Sequence, residues 1–271
     1  MKKINEKQFY SDIFVVLTYK NTEDVLDLLD SLKNVLVHDY KVIIVNSFYS
    51  EETRKKLECI AKKYNCVFIP TDNNGYGAGN NRGIEFALEH FKFKRIVISN
   101  PDIVVKKYNT EWFNHASNGI YGGIISKLKG KCQNPMRVTD LKITNNTNYY
   151  LLIRHSKPLF YLSICIAKLQ RILVLCCPKK TNKVFAVHGS FFVITADLLD
   201  RIIPVFDENI FMYGEELDIA KKFKLLGIST YFTKEMSVIH KEDGDVSISN
   251  INHSKTSKKS CIYIYNKWNN K

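Results

Sequence analysis

The chain has 271 residues, 45% of them hydrophobic, enough for one large domain with a substantial core, alone or with an appended segment. Forty Lys and Arg against 27 Asp and Glu leave a net charge of +13, which suits polyanionic partners: nucleic acid, an acidic membrane face or phosphorylated small molecules. Seven cysteines, odd in number and without a C-x-x-C, exclude a zinc ribbon or a simple disulfide framework and point to reduced thiols. The start "MKKINEKQFYSD" is basic but leads into no apolar signal segment, so a cytoplasmic location is expected.

"DIFVVLTY" (12–19) is apolar and β-branched and predicts a first strand. "NTEDVLDLLDSLKNV" (21–35) predicts an amphipathic helix capped by Thr22, with acids in its first turn. "YKVIIVN" (40–46) is a second strand, and "SEETRKKLECIAKKY" (50–64) a second helix capped by Ser50. "CVFIP" (66–70) is a short third strand closed by proline, before "NNGYGAGNNRGIEFALEH" (73–90), a loop of glycines and asparagines running into a helix. Its third glycine is missing for a dinucleotide fingerprint, and no Lys-Ser or Lys-Thr follows for a Walker loop. "FKRIVISNPDIVV" (93–105) predicts a fourth strand broken at Asn-Pro-Asp.

Such alternation predicts a doubly wound, mostly parallel α/β sheet, whose ligands gather beyond the C-terminal strand ends. Thr18, Asn46, Asp72 and the 99–102 loop all fall there. Residues 127–183 break the rhythm as a variable insert. Within it, "KPLFYLSICIAKLQRILVLCCPKK" (157–180) carries apolar residues at helical spacing, interrupted by Lys168, Gln170 and Arg171. A helix packed on the domain's own core is the preferred reading, and an interfacial helix flanked by Lys157, Lys179 and Lys180 the sharper one. "KVFAVHGSFFVITADLLDRI" (183–202) resumes regular structure, followed by a loop and a helix starting near Glu215, and then a strand ending at His240. Beyond it, 243–271 reads as an extension, loop-like at first, with "CIYIYNKW" a terminal strand or helix.

Three groups carry chemistry. Pro101 forces Asn100 into extended backbone and projects the Asp102 carboxylate off the sheet edge, either capping a turn or meeting a hard cation. "YGEELD" (213–218) places three carboxylates at a helix start, as dipole partners or as a general base toward a hydroxyl. His188 and His240 are each ambiguous alone.

In order and spacing, "VVLTYKN", "IIVNSFYS", "NNGYGAGNNRGI", "ISNPDIVV", "HGSFFVI", "FDENIFMYGEELDIAKK" and "MSVIH" together resemble glycosyltransferase family 2, the inverting nucleotide-sugar transferases of the GT-A fold. The likeness extends over residues 10–242 and is greatest to the rhamnosyltransferase-like branch that builds O-antigen and capsular polysaccharide. It implies a GT-A domain over 1–242, with a nucleotide-sugar half and an acceptor half. It implies that Thr18 and Asn46 contact the base and ribose of a dTDP- or UDP-sugar, with Asp72, Gly75, Asn80 and Asn100 lining the nucleotide side. Asp102 and His240 would hold Mg²⁺ or Mn²⁺. Glu216, beside Glu215, would stand where the family's catalytic aspartate does. The acceptor would be a lipid-linked saccharide, and no nucleic acid is expected; the +13 excess and the apolar pattern at 159–176 between lysines predict reversible association with an anionic membrane surface. Asn46 replaces the usual base-reading aspartate, Glu215-Glu216 the usual Glu-Asp pair, and Lys221 or Lys222 an expected arginine. The rivals are a basic membrane- or RNA-binding module and a sugar-phosphate nucleotidyltransferase; the latter wants a glycine-rich loop after its first strand, where "VVLTYKNTED" has none.

Overall fold

The computed structural model describes residues 7–128, 130–242 and 253–269; the N-terminal residues 1–6 and positions 243–252 of the loop expected over 243–260 lie outside the described residues. Strand and helix alternate through the first hundred positions as the apolar patterning requires. β1 (Gln8–Thr18), α1 (Glu23–Val35), β2 (Tyr40–Ser47), α2 (Glu51–Lys63), β3 (Val67–Thr71), α3 (Tyr76–His90) and β4 (Phe91–Ser99) build the order β3-β2-β1-β4, all parallel. Along β1 the period of two sends Ile13 and Val15 to one face and Phe14 and Val16 to the other. The first face is covered by α3 through Ile84 and Ala87, the second by α1 and α2 through Leu28, Leu32 and Leu57. Each such buried side chain contributes roughly 1.5–3 kcal/mol.

Two caps were foreseen. Ser50 accepts a hydrogen bond from the Thr53 amide at 3.2 Å, as its position predicts. Thr22 does not cap α1: its backbone is already helical, and the Asn21 side chain instead accepts from the amides of Glu23 (3.1 Å) and Asp24 (3.3 Å).

The second half of the sheet is mixed. β5 (Ile103–Tyr108), α4 (Thr110–His115), β6 (Ile120–Lys127), β7 (Thr181–Val184), β8 (Phe191–Thr195) and β9 (Thr230–His240) extend the order to β4-β8-β6-β9-β5, with β7 also on β9. β8 enters antiparallel to β4, and β9 runs parallel to β6 but antiparallel to β5. β4 ends just before Asn-Pro-Asp, as expected, and Ile103 onward forms a separate strand, because the turn releases the chain from β4 to pair with β9.

At the opposite end from the site, the buried Asp12 accepts from Arg95 Nε (2.6 Å), Arg95 Nη2 (2.9 Å) and Tyr108 (2.7 Å), and pairs with His38 at 2.7 Å. Burial alone would raise the Asp12 carboxyl, but its bonds from Arg95 and His38 hold it below the usual range. This knot ties β1, β4 and β5 together.

The insert forms α5 (Lys142–Asn145), α6 (Thr147–Leu152) and α7 (Lys157–Cys176). The preferred reading of α7 as a core helix is corrected here. Ser163 is the only residue it buries, and Leu162, Leu169 and Leu173 stand 49%, 61% and 64% exposed. Helices α8 (Leu199–Ile202), α9 (Glu215–Leu225) and α10 (His253–Asn269) follow, so "CIYIYNKW" is helical, and the expected loop over 243–260 is corrected from His253 onward, where the helix has already begun.

Candidate active site

The sequence order of the strands reverses between β1 and β4, and in such sheets the ligand crevice lies at the C-terminal ends of those two strands. Thr18 closes β1 in register with Asn46 on β2, and both are buried. Asn46 donates to the Ser47 carbonyl at 3.2 Å and leaves its own Oδ1 without a donor. Asp72 follows β3 and is exposed. The Asn100 amide donates to the Ser190 carbonyl at 2.8 Å, which brings the His188-Gly189-Ser190 turn against the end of β4.

Antiparallel pairing of β5 with β9 sets Ile103 opposite His240, so Asp102 and His240 meet although they are remote in sequence. Asp102 Oδ2 lies 3.3 Å from His240 Nε2. His240 Nδ1 lies 2.9 Å from Gln133 Oε1, and the Gln133 amide nitrogen donates to Glu242 at 2.8 Å. That second bond fixes the amide, so Gln133 Oε1 accepts from Nδ1–H and Nε2 is left to face the carboxylate. An imidazole nitrogen aimed at a carboxylate oxygen calls for a cation or a proton between them. The pair therefore fits a divalent ion as a donor set of one oxygen and one nitrogen, with Gln133 orienting the imidazole from behind. Among the described residues no group of three His, Cys, Asp or Glu could hold a metal unaided, so further oxygens would have to come from a ligand.

The acid motif reaches the same crevice. Tyr213 (φ 78) and Gly214 (φ 93) carry the chain through the left-handed region just before α9, a strained entry for tyrosine. The turn sends Glu215 inward and Glu216 toward the β8 turn, where Glu216 Oε1 accepts from the Gly189 amide at 3.3 Å. Burial, reinforced by Glu216, pushes the Glu215 carboxyl up to about 8, and its Oε1 has no hydrogen-bond partner. Burial likewise holds His188 below the usual histidine range, against the pull of Glu216. Tyr76 donates to the Gly189 carbonyl at 2.9 Å, locking α3 onto this turn.

The glycine-asparagine loop has a second employment that the sequence did not disclose. Gly75 (φ 102) lies against the Phe211 backbone, where a Cβ would come within 2.4 Å of its carbonyl oxygen. Asn81 donates to the Phe206 carbonyl and accepts from the Phe206 amide, each at 3.0 Å. Asn80 spends its nitrogen on the Tyr76 carbonyl within α3 and keeps a buried, unmatched Oδ1. Gly75 and Asn81 thus dock the 206–211 loop, while Thr18, Asn46, Asn100, Asp102, Glu216 and His240 share the strand ends. Gln133, Asn81 and Tyr76 were missed. Asn81 and Tyr76 sit in the glycine-asparagine motif, which could have drawn attention to them; Gln133 sits in none.

Helix α10 fastens the acid motif from outside. Ser260 donates to the Met212 carbonyl (2.7 Å), Tyr263 and Lys267 bond Asp207 (2.8 and 2.6 Å), and Trp268 donates to Asp218 (2.7 Å).

A mixed sheet of this order, with an Asn-Pro-Asp turn and a late histidine at its switch point, is a GT-A α/β fold. The crystal structure of GalNAc-T7 with UDP, GalNAc and Mn²⁺ superimposes with a TM-score of 0.64 over 96% of this chain at 11% identity. The chain spans about half the length of that structure, 49%. Residues 13–108 match the family model for glycosyl transferase family 2. The low-salt glycan biosynthesis hexosyltransferase Agl10 of Haloferax volcanii is 22% identical over 241 residues, covering 85% of this chain and 67% of the relative. These sequence matches support family 2.

Proposed function

We propose that the protein is an inverting, metal-dependent glycosyltransferase that moves a hexosyl or deoxyhexosyl group from a UDP- or dTDP-sugar to a hydroxyl of a lipid-linked saccharide. Its place would be the cytoplasmic side of surface-polysaccharide synthesis of the O-antigen or capsule kind, with a rhamnosyltransferase-like activity. The observation that carries the reading is the meeting of Asp102 with His240, whose ring lies 5.7 Å from that of His188 in the turn that Glu216 bonds through the Gly189 amide.

In this reading Thr18 and Asn46 hold the base and ribose, and the buried Asn46 Oδ1 still lacks a donor. Asp72, Asn80 and Asn100 line the nucleotide side, and Gly75 serves by letting the 206–211 loop close on it. Asp102 and His240 would hold Mg²⁺ or Mn²⁺, which would supply positive charge near a diphosphate leaving group. Glu216 takes the acceptor proton. Glu215, kept protonated by burial, is the poorer base at neutral pH. A single displacement with one base inverts the anomeric centre. The UDP- and Mn²⁺-bound neighbour of the same fold supports the choice of donor and ion.

Release of free nucleoside diphosphate from the sugar nucleotide, dependent on acceptor and abolished by EDTA, is the expected signature. Glu216→Gln should lower turnover about 10²- to 10⁴-fold with donor affinity unchanged. Undiminished turnover in that variant, or release indifferent to EDTA, would refute the assignment.

A further inference from the structure

Helix α7 is inside out. Its polar residues are spent on the domain: Ser163 is buried, Gln170 donates to Thr139 at 2.9 Å, and Arg171 donates to the carbonyls of Pro135 (2.9 Å) and Cys132 (3.2 Å). At 100° per residue, Tyr161, Leu162, Cys165, Leu169, Ile172, Leu173 and Cys176 fall on the opposite arc, and all are exposed. One contiguous apolar face therefore runs the length of a 20-residue helix, with Lys168 at its border. Soluble surfaces rarely expose such a patch without a partner.

Charge says which partner. From Lys142 to Lys183 the sequence holds eight Lys and Arg and no Asp or Glu. A second copy docked face to face about a two-fold axis would set Lys168 and its basic neighbours against themselves. An acidic protein groove would want polar complementarity along the helix, which its leucines do not offer. A membrane with anionic headgroups satisfies both features, taking the leucines into its acyl boundary and the lysines among its phosphates. The helix is long and apolar enough to cross a bilayer, but the bonds of Gln170 and Arg171 tie one flank to the domain, which is the geometry of a helix lying in the interface.

We infer that the exposed face of α7 is the protein's docking surface for an anionic membrane. The surface is coupled to the crevice. Arg171 grips Cys132 and Pro135, the residues that bracket Gln133 and Asn134; Gln133 holds His240, and Asn134 accepts from the His188 amide at 2.7 Å. Docking by α7 would thus hold the crevice close to the lipid surface.

The test is sedimentation of the full chain with vesicles of phosphatidylcholine alone or mixed equally with phosphatidylglycerol. Binding to the mixed vesicles only, falling as salt rises, is expected. Replacing Leu162, Leu169 and Leu173 with Ser should release the protein with its melting temperature unchanged. Lys157→Gln, Lys168→Gln and Lys179→Gln should each weaken vesicle affinity about fivefold. Should the serine variant fail to fold, the lysine variants decide alone. The inference is overturned by no binding to mixed vesicles, by equal binding to neutral ones, by lysine variants that bind as wild type, or by a folded serine variant that still binds. A concentration-dependent dimer dissolved by the serine changes would overturn it too, since the face would then belong to a second copy. Donor-nucleotide binding, measured on the same variants, keeps this outcome separate from the fate of the transferase reading.

Discussion

Glu215→Gln tests the electrostatics of the acid motif without touching the group proposed to take the proton. Folded, the Glu215 carboxyl titrates near 8; in the unfolded chain it returns to about 4.5. Between those values the folded state holds a proton that the unfolded state has released. Stability therefore falls as pH rises through this window and is flat below it. At 1.36 kcal/mol per pH unit, the penalty reaches at most roughly 3 kcal/mol by pH 7. Glutamine keeps the shape and neutrality of the protonated acid, so the variant should lose this slope. Urea midpoints from pH 5 to pH 8 provide the assay: wild type should decline relative to Glu215→Gln, with the gap widening upward. A wild type that matches the variant at every pH, or gains on it as pH rises, would show that Glu215 is solvated or paired, and the choice of Glu216 as base would lose its electrostatic support.

Three further outcomes follow from the geometry. Asp102→Asn should remove Mn²⁺ binding read by electron paramagnetic resonance, and Gln133→Leu should weaken it about 10- to 100-fold by freeing the imidazole; unchanged Mn²⁺ affinity in Gln133→Leu alone would leave that residue a structural part only. Gly75→Ala, at φ 102 and 2.4 Å from the Phe211 carbonyl, should cost about 1–3 kcal/mol in urea unfolding. Gly79→Ala should cost less, because the atom it meets is the movable Leu17 Cδ1. Arg95→Met leaves the Asp12 carboxylate buried without its main partner and should destabilise the fold by about 3–5 kcal/mol, the urea midpoint again providing the measure.

How much the sequence disclosed depended on the range of the interaction. Elements set by local patterning were legible: the alternation through β4, the Ser50 cap, the start of α9 at Glu215 and the end of β9 at His240. Asn21 and Thr22 are adjacent caps of similar chemistry, and only the backbone at Thr22 decides between them. Asn-Pro-Asp marks the break within 93–105, but that Ile103 onward is a second strand follows from its pairing with β9, which nothing within the segment announces. Periodicity revealed the apolar stripe of α7 but not what it meets, since a stripe facing core and a stripe facing outward have the same spacing. Gln133 lies in a polar run without a motif, and its value comes entirely from where His240 arrives.

The grip of α10 on the acid motif sets an order of events during synthesis. The Met212 carbonyl, Asp207 and Asp218 are translated well before Ser260, Tyr263, Lys267 and Trp268, which complete their bonding. While a nascent chain is still on the ribosome, the sheet and its strand ends are already available to pair, but the strained turn at Tyr213 and Gly214 lacks its outer support. Asp207, Met212 and Asp218 therefore gain these bonds last, from residues that arrive after every strand of the sheet has been made.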